Sequence, residues 1–413
     1  MKRVVCAVLL MAVATAAVSA PPEFRRGVNV HEWLNWAPLQ ADGSYRWPPY
    51  QPVSEWLEAE RPLEDWPEGD PFVSIRSMGF DFVRLTVDPG PLLASEGARR
   101  QEALDVLEAA VTEVLAAGLA VVVNLHGNSQ VPAYGMDVVN AGAGSPQIAQ
   151  YRQMSVELAA MLAGLGTDRV AFEPFNEPAH YPCDAGGSDD WQQIMSSTVA
   201  AIRSVSTEIA IVATGACGGS ITGLVDLEPG FDDENVLYSF HMYEPHLFSH
   251  QRAEADSWFA SGLPWPASAG SAESTVASLR AWMDAAGLTE AQQAQNLAAV
   301  AGYISEYFAE GWGQAQLDAR MDEAVAWAAR HGIPPARLFM GEFGAILMSR
   351  DGRRGAYDAD RLRYLRAVRE AAEHRGIAWA IWEYSNPHGM TVIVPEGPAV
   401  PDLELLEALG FAQ

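Results

Sequence analysis

What most constrains this chain is an alternation. Eight short apolar or β-branched runs, at residues 26–31, 80–87, 119–126, 170–177, 209–215, 236–243, 338–343 and 377–384, are separated by stretches of helical periodicity. Several runs stay apolar almost to their last residues, which marks parallel strands covered on both faces. Between them, residues 98–117 carry Leu104, Leu107, Val111, Val114 and Leu115 on one face and stop at Gly118. Residues 148–165, 191–205 and 361–375 read in the same way. Strand–helix alternation implies crossover βαβ units, and eight in succession predict an α/β fold of the (β/α)8 TIM-barrel type. A doubly wound open sheet is the competing fold, but its glycine fingerprint is missing after the first strand.

Two connections are too long to be simple turns. Residues 32–70 follow the first strand and are rich in Pro and Trp, while residues 244–335 follow the sixth. Both read as rim insertions on one catalytic domain spanning 21–413, since loops this long in a compact domain are usually functional. Residues 1–20 read as a signal peptide: Lys2 and Arg3 precede an apolar run that ends in Val18-Ser19-Ala20. A secreted or periplasmic, monomeric product with no membrane attachment is expected. The 53 acidic against 26 basic residues, a net charge of −27, argue against a nucleic-acid partner. With Cys6 removed alongside the signal, Cys183 and Cys217 remain, either bridged or buried as free thiols.

Polar residues gather where the runs end. The second run carries Arg84, the third closes Asn124-Leu125-His126, and the fourth closes Asn176-Glu177-Pro178. The sixth closes His241-Met242-Tyr243-Glu244, the seventh holds Gly341-Glu342-Phe343-Gly344, and the eighth carries Trp382 and Glu383. Barrel active sites form at that end of the strands, so these side chains should share one cleft. Glu177 and Glu342, on the fourth and seventh strands, would face each other. An opposed pair of acids is what glycosidic-bond cleavage needs: one carboxyl protonates the departing oxygen, and the other attacks the anomeric carbon or activates water. Arg84 and Tyr243 are placed to hydrogen-bond one carboxylate and hold it ionised, while the other needs a raised pKa. Trp382 offers a flat apolar face to a sugar ring.

These separated motifs resemble glycoside hydrolase family 5, the cellulase-type family of a retaining (β/α)8 clan, in the family's order and over most of the chain. The resemblance implies that Glu177 is the acid/base and Glu342 the nucleophile. It further implies that Arg84 steadies Glu342, Tyr243 donates to Glu342, and His241 sits near Glu177. Asn176 would bind the sugar 2-hydroxyl, His126 would border the first sugar subsite, and Trp382 would stack beneath the cleaved sugar. The family often carries a second His after the one on strand three, whereas Gly127 stands here. The implied activity is that of an endo-β-glucanase on β-linked polysaccharide or oligosaccharide. The alternatives are β-mannan, a β-1,3- or mixed-linkage glucan, an exo-glucosidase, or a non-catalytic carbohydrate-binding barrel. The resemblance also makes the loops after strands four and five neighbours, so a Cys183–Cys217 disulfide is expected near Glu177.

Weaker signals lie on the rim. Trp36 is a candidate stacking platform, and Trp33, Trp47 and Trp66 either extend it or pack the loop onto the barrel. Trp258 and Trp265 are candidates to close over the cleft. His31 and Glu32 end the first strand, and Glu383 should point away from Trp382. His180, His246, His250 and His388 read as rim or substrate-edge residues. No cofactor is expected, and no catalytic metal, since neither paired His on one strand nor a Cys-x-x-Cys is present.

Overall fold

Eight strands form where the apolar runs lie: β1 (Arg26–Leu34), β2 (Phe82–Val87), β3 (Ala120–Leu125), β4 (Val170–Glu173), β5 (Ala210–Thr214), β6 (Val236–Met242), β7 (Leu338–Phe343) and β8 (Ala378–Ile381). The computed structural model describes residues 21–411 except 68, 128, 180–182, 184–188, 232, 252–259, 348–354 and 387–388. All eight strands are parallel and close into a barrel in chain order, with β1 completing the circle against β8 through Gly27 and Ala380. The chain is a (β/α)8 TIM barrel.

Period-two alternation explains the lumen. Its lower layers are apolar, with Phe24, Phe82, Val122, Ala171, Ala210, Val212, Leu237, Phe339 and Ala380 forming one buried cluster. Further along, Asn29, Arg84, Asn124, Glu173 and Ser239 are fully buried. A larger cluster packs the outer strand faces against the helices. The helix Gly97–Ala116, for example, buries Leu104, Leu107, Val111, Val114 and Leu115. Fully burying one such side chain contributes about 1.5–3 kcal/mol.

Several expectations about the rim are corrected here. Residues 174–177 are not strand: β4 stops at Glu173, because Pro174 cannot donate to a sheet ladder. Glu177 therefore stands on the following loop, in left-handed backbone at φ 40°. Trp33 and Trp66 are structural. Trp33 is nearly parallel to Trp56 at 5.9 Å and donates to the Gln51 carbonyl, and Trp66 donates to the Leu57 carbonyl. Trp47 sits under Arg99 and donates to Glu102. Trp265 does not close over the cleft, being buried against Phe248 and Tyr364. After β6 the insertion forms helices Ala272–Ala285, Glu290–Glu310 and Gln314–Arg330, the first two opened by capping boxes at Ser271 and Thr289. The proposed signal peptide with Cys6, and Trp258, His180 and His388, lie outside the described residues.

Candidate active site

A cavity of about 460 Å³ opens at the C-terminal mouth of the barrel, lined among others by His126, Glu177, His241, Tyr243, Glu342 and Trp382. A larger one, about 880 Å³, lies on the flank between the loop after β1 and the helix Gly97–Ala116; it is mostly apolar and lacks an opposed pair of acids at the barrel mouth.

Register places the buried acid. β6 and β7 pair regularly up to Phe240 and Met340, then shift so that His241 lies opposite Glu342. The irregularity re-aims the chain at Gly341, as β-bulges commonly do beside active sites. A Cβ on Gly341 would come within 2.9 Å of Ser239 Oγ and 3.2 Å of His241 Nε2. The bulge thus depends on a residue without a side chain.

Glu342 is held on both oxygens. Arg84 donates to its Oε1 at 2.7 Å and the Tyr243 hydroxyl to its Oε2 at 2.9 Å. Glu177 Oε1 lies 2.7 Å from His241 Nδ1, which is 3.5 Å from Glu342 Oε2. One ligand atom from each of Glu177, His241 and Glu342 falls within 4.8 Å of the other two. Among the described residues this is the one cluster with metal-ligand spacing, and the Arg84 guanidinium bonded to Glu342 disfavours a second cation there. The two acids differ in wetness: the Glu177 side chain is 40% exposed and that of Glu342 4%.

Charge distribution corrects one expectation. Arg84 and Tyr243 do not bring Glu342 below the ordinary glutamate range: burial raises its pKa, and His241, Arg84 and the Tyr243 hydroxyl only oppose that rise. Burial is the largest influence, and Glu177 adds to the rise; Arg84 is also shared. Its Nε donates to Glu173 at 2.6 Å, and further N–H groups reach the side-chain oxygens of Asn29 and Asn176. For His241, burial lowers the pKa, but Glu342 and Glu177 outweigh it, so the net direction is up. His126 is pushed well below its usual value by burial and by the neighbouring His31, Arg84 and His241. Burial and Arg84 take His31 down to about 3.

The remaining candidates fall into place around this centre. The His126 ring lies 3.1 Å from the Asn124 side-chain oxygen and 3.5 Å from the Asn176 amide nitrogen, so Asn176 is held between His126 and Arg84. Trp382 is nearly parallel to His126 at 5.6 Å and tilted against His31 at 4.6 Å. Trp36 meets His31 edge-on at the half-buried margin of this group. His246 and His250 line the cavity, their rings stacked at 3.9 Å. At Gly127 a Cβ would strike Met136, whose side chain fills the space beside His126. Glu383 is fully buried and accepts from Asn386. Cys183 and Cys217 are bonded, with Cα atoms 5.0 Å apart, and Cys217 lines the cavity.

Sequence reasoning missed Glu173 and Asn29, the other anchors of Arg84. A carboxylate inside the apolar run Val170-Ala171-Phe172 was the available signal, since a buried charge demands a partner. The Cys217-Gly218-Gly219 turn gave no comparable signal.

Comparison with known proteins follows the same line. The cellulase (glycosyl hydrolase family 5) family model matches residues 63–388. Endoglucanase 3 of Fibrobacter succinogenes is 27% identical over 254 residues, covering 61% of this chain and 34% of that protein. Cellodextrinase A of Ruminococcus flavefaciens is 25% identical over 194 residues, covering 46% of this chain and 55% of that protein. The chain thus spans about a third to a half of the curated relatives it matches. Among solved structures, Thermotoga maritima Cel5A in complex with cellobiose superposes with a TM-score of 0.61 at 20% identity, covering 94% of this chain and 97% of that one. A Bacteroides ovatus xyloglucanase in complex with a heptasaccharide gives 0.64 at 15% identity, covering 97% and 80%. At these identities the likeness speaks for the fold.

Proposed function

The chain belongs to the cellulase family, glycosyl hydrolase family 5, and from that premise we propose that it is a retaining β-glycosidase acting within β-linked glucan chains. The observation that carries the proposal is the spacing of Glu177 and Glu342. With one oxygen of each within 4.8 Å, the pair suits double displacement; an inverting enzyme keeps its carboxyls about 6.5–9.5 Å apart to admit a water.

In the first step Glu342 attacks the anomeric carbon as Glu177 gives its proton to the glycosidic oxygen, and the C–O bond breaks. In the second, Glu177 takes a proton from water, which attacks the same carbon and releases Glu342. On this reading Asn176 binds the sugar 2-hydroxyl and Trp382 stacks on the ring. Relatives named as an endoglucanase and a cellodextrinase support a glucan substrate. The proposal includes export, with residues 1–20 as a cleaved signal and 21–413 as one catalytic domain. No described helix is long and apolar enough to cross a membrane.

The test is product analysis on cellulose-type, mixed-linkage, β-1,3-glucan, mannan and xyloglucan substrates, with the anomeric configuration followed by NMR. Internal cutting of β-1,4-glucan with retention is the expected result. Inversion, or loss of no activity in Glu342→Gln, would overturn it.

A further inference from the structure

We propose that the Cys183–Cys217 disulfide is a positioning element for the proton-donating carboxyl of Glu177; this rests on the acid/base role given to Glu177 above. Glu177 lies beyond the end of β4, in backbone of φ 40° that a side-chain-bearing residue keeps only when its surroundings over-determine it. Its 40% exposed side chain is not fixed by burial. The turn after β5 supplies that constraint. Gly218 donates its N–H to the carbonyl of Pro178, the residue after Glu177, at 3.1 Å. Gly219 accepts from the His241 N–H at 2.8 Å, and a Cβ placed on it would lie 3.5 Å from Glu177 Cγ and 3.6 Å from His241 Nδ1. His241 in turn binds the Glu177 carboxyl at 2.7 Å. The turn therefore holds both ends of the Glu177–His241 pair.

That turn is itself left-handed at three consecutive residues, Cys217, Gly218 and Gly219, with φ of 58°, 63° and 67°. Cys217 pays the steric cost that glycine avoids. The disulfide ties this residue to Cys183, on the same connection as Glu177. The bond is reachable from solvent, since Cys183 is exposed and Cys217 half-buried. Cutting it removes a covalent restraint from the loop that aims the donor and leaves Arg84, Tyr243 and Glu342 untouched.

The prediction is selective. Glycosylation is read as kcat/KM on two substrates: cellotetraose, whose departing alkoxide needs protonation, and 2,4-dinitrophenyl β-cellobioside, whose phenolate does not. In C183S/C217S the cellotetraose value should fall about ten-fold, because a small displacement of an acid/base group is costly, with the aryl value within about two-fold of wild type. The alkaline limb of the cellotetraose pH profile should also move. Treating the wild-type protein with dithiothreitol, which yields two cysteine thiols and the cyclic disulfide of the reagent, should reproduce the selective loss should the variant fold poorly. Equal losses on both substrates, or no loss on either, would overturn the inference. Glu177→Ala is the control for the underlying role: it must show a larger loss on cellotetraose than on the aryl substrate, and failure there would discard the acid/base assignment itself rather than the disulfide's part in it.

Discussion

Glu173 accepts the Nε–H of Arg84 across 2.6 Å, with neither side chain exposed to solvent. The cation that supports Glu342 is thus already half-neutralised by a second acid. Glu173→Gln keeps the acceptor but removes the charge, so the ionised form of Glu342 gains. The acid limb of the kcat/KM profile should move to lower pH, checked by pH–rate measurements. Arg84→Met takes the guanidinium from both buried acids and should destabilise the fold by about 3–5 kcal/mol in denaturant unfolding.

Tyr243→Phe works in the opposite sense. Burial sets the pKa of Glu342 above the ordinary glutamate value, and the Tyr243 hydroxyl opposes that rise. Attack requires the ionised form, so activity is lost as pH falls through the raised value. Removing the hydroxyl should push the acid limb further up. A hydrogen bond to a charged group is worth about 1.5–3 kcal/mol, so kcat/KM on the acid side should drop by roughly ten-fold or more.

Glu60 governs stability rather than turnover. It is bonded to Trp56 and Ser385, and burial pushes its pKa to about 8, with Glu32 adding to the rise. The folded state then binds more protons than the unfolded one between the ordinary glutamate value and about 8, so its contribution is full at low pH and is lost as pH rises through that window. Thermal scans at the two ends of the window should show the midpoint falling with pH in wild type and falling less in Glu60→Gln.

Gly341→Ala would place a methyl against Ser239 and His241, and His241 cannot yield without releasing Glu177. Overpacking of this kind costs about 1–3 kcal/mol, and kcat/KM should fall at least about ten-fold. Gly302, exposed in the helix Glu290–Glu310 with open space around it, is the counterpart. Gly302→Ala should stabilise by about 0.5–1 kcal/mol with activity unchanged.

The barrel was legible because most strands are buried on both faces and several runs stay apolar almost to their ends, a pattern that survives in a single sequence. The bounds were less so. The run through Glu177 looked continuous, and Pro174 was the overlooked stop. Arg84, Tyr243 and His241 could be matched to partners through the family resemblance, and β2 and β6, which carry or adjoin them, deliver them to those partners. The direction of the Glu342 pKa shift could not be read, because it depends first on how dry the lumen is around the carboxyl, which only the packed barrel shows. Tryptophans in the rim loops were ambiguous for a different reason: a flat apolar ring serves a sugar or a core equally well, and only contacts such as Trp33 on Trp56 or Trp265 under Phe248 decide.

The unequal exposure of the two acids has a consequence for the order of events. On the proposed mechanism, Glu177 stays ionised while the sugar ester on Glu342 is sheltered in the barrel, and it regains its proton from the water that enters at the mouth and cleaves that ester. No proton wire through the lumen is then required, because the base that activates the second water already faces solvent.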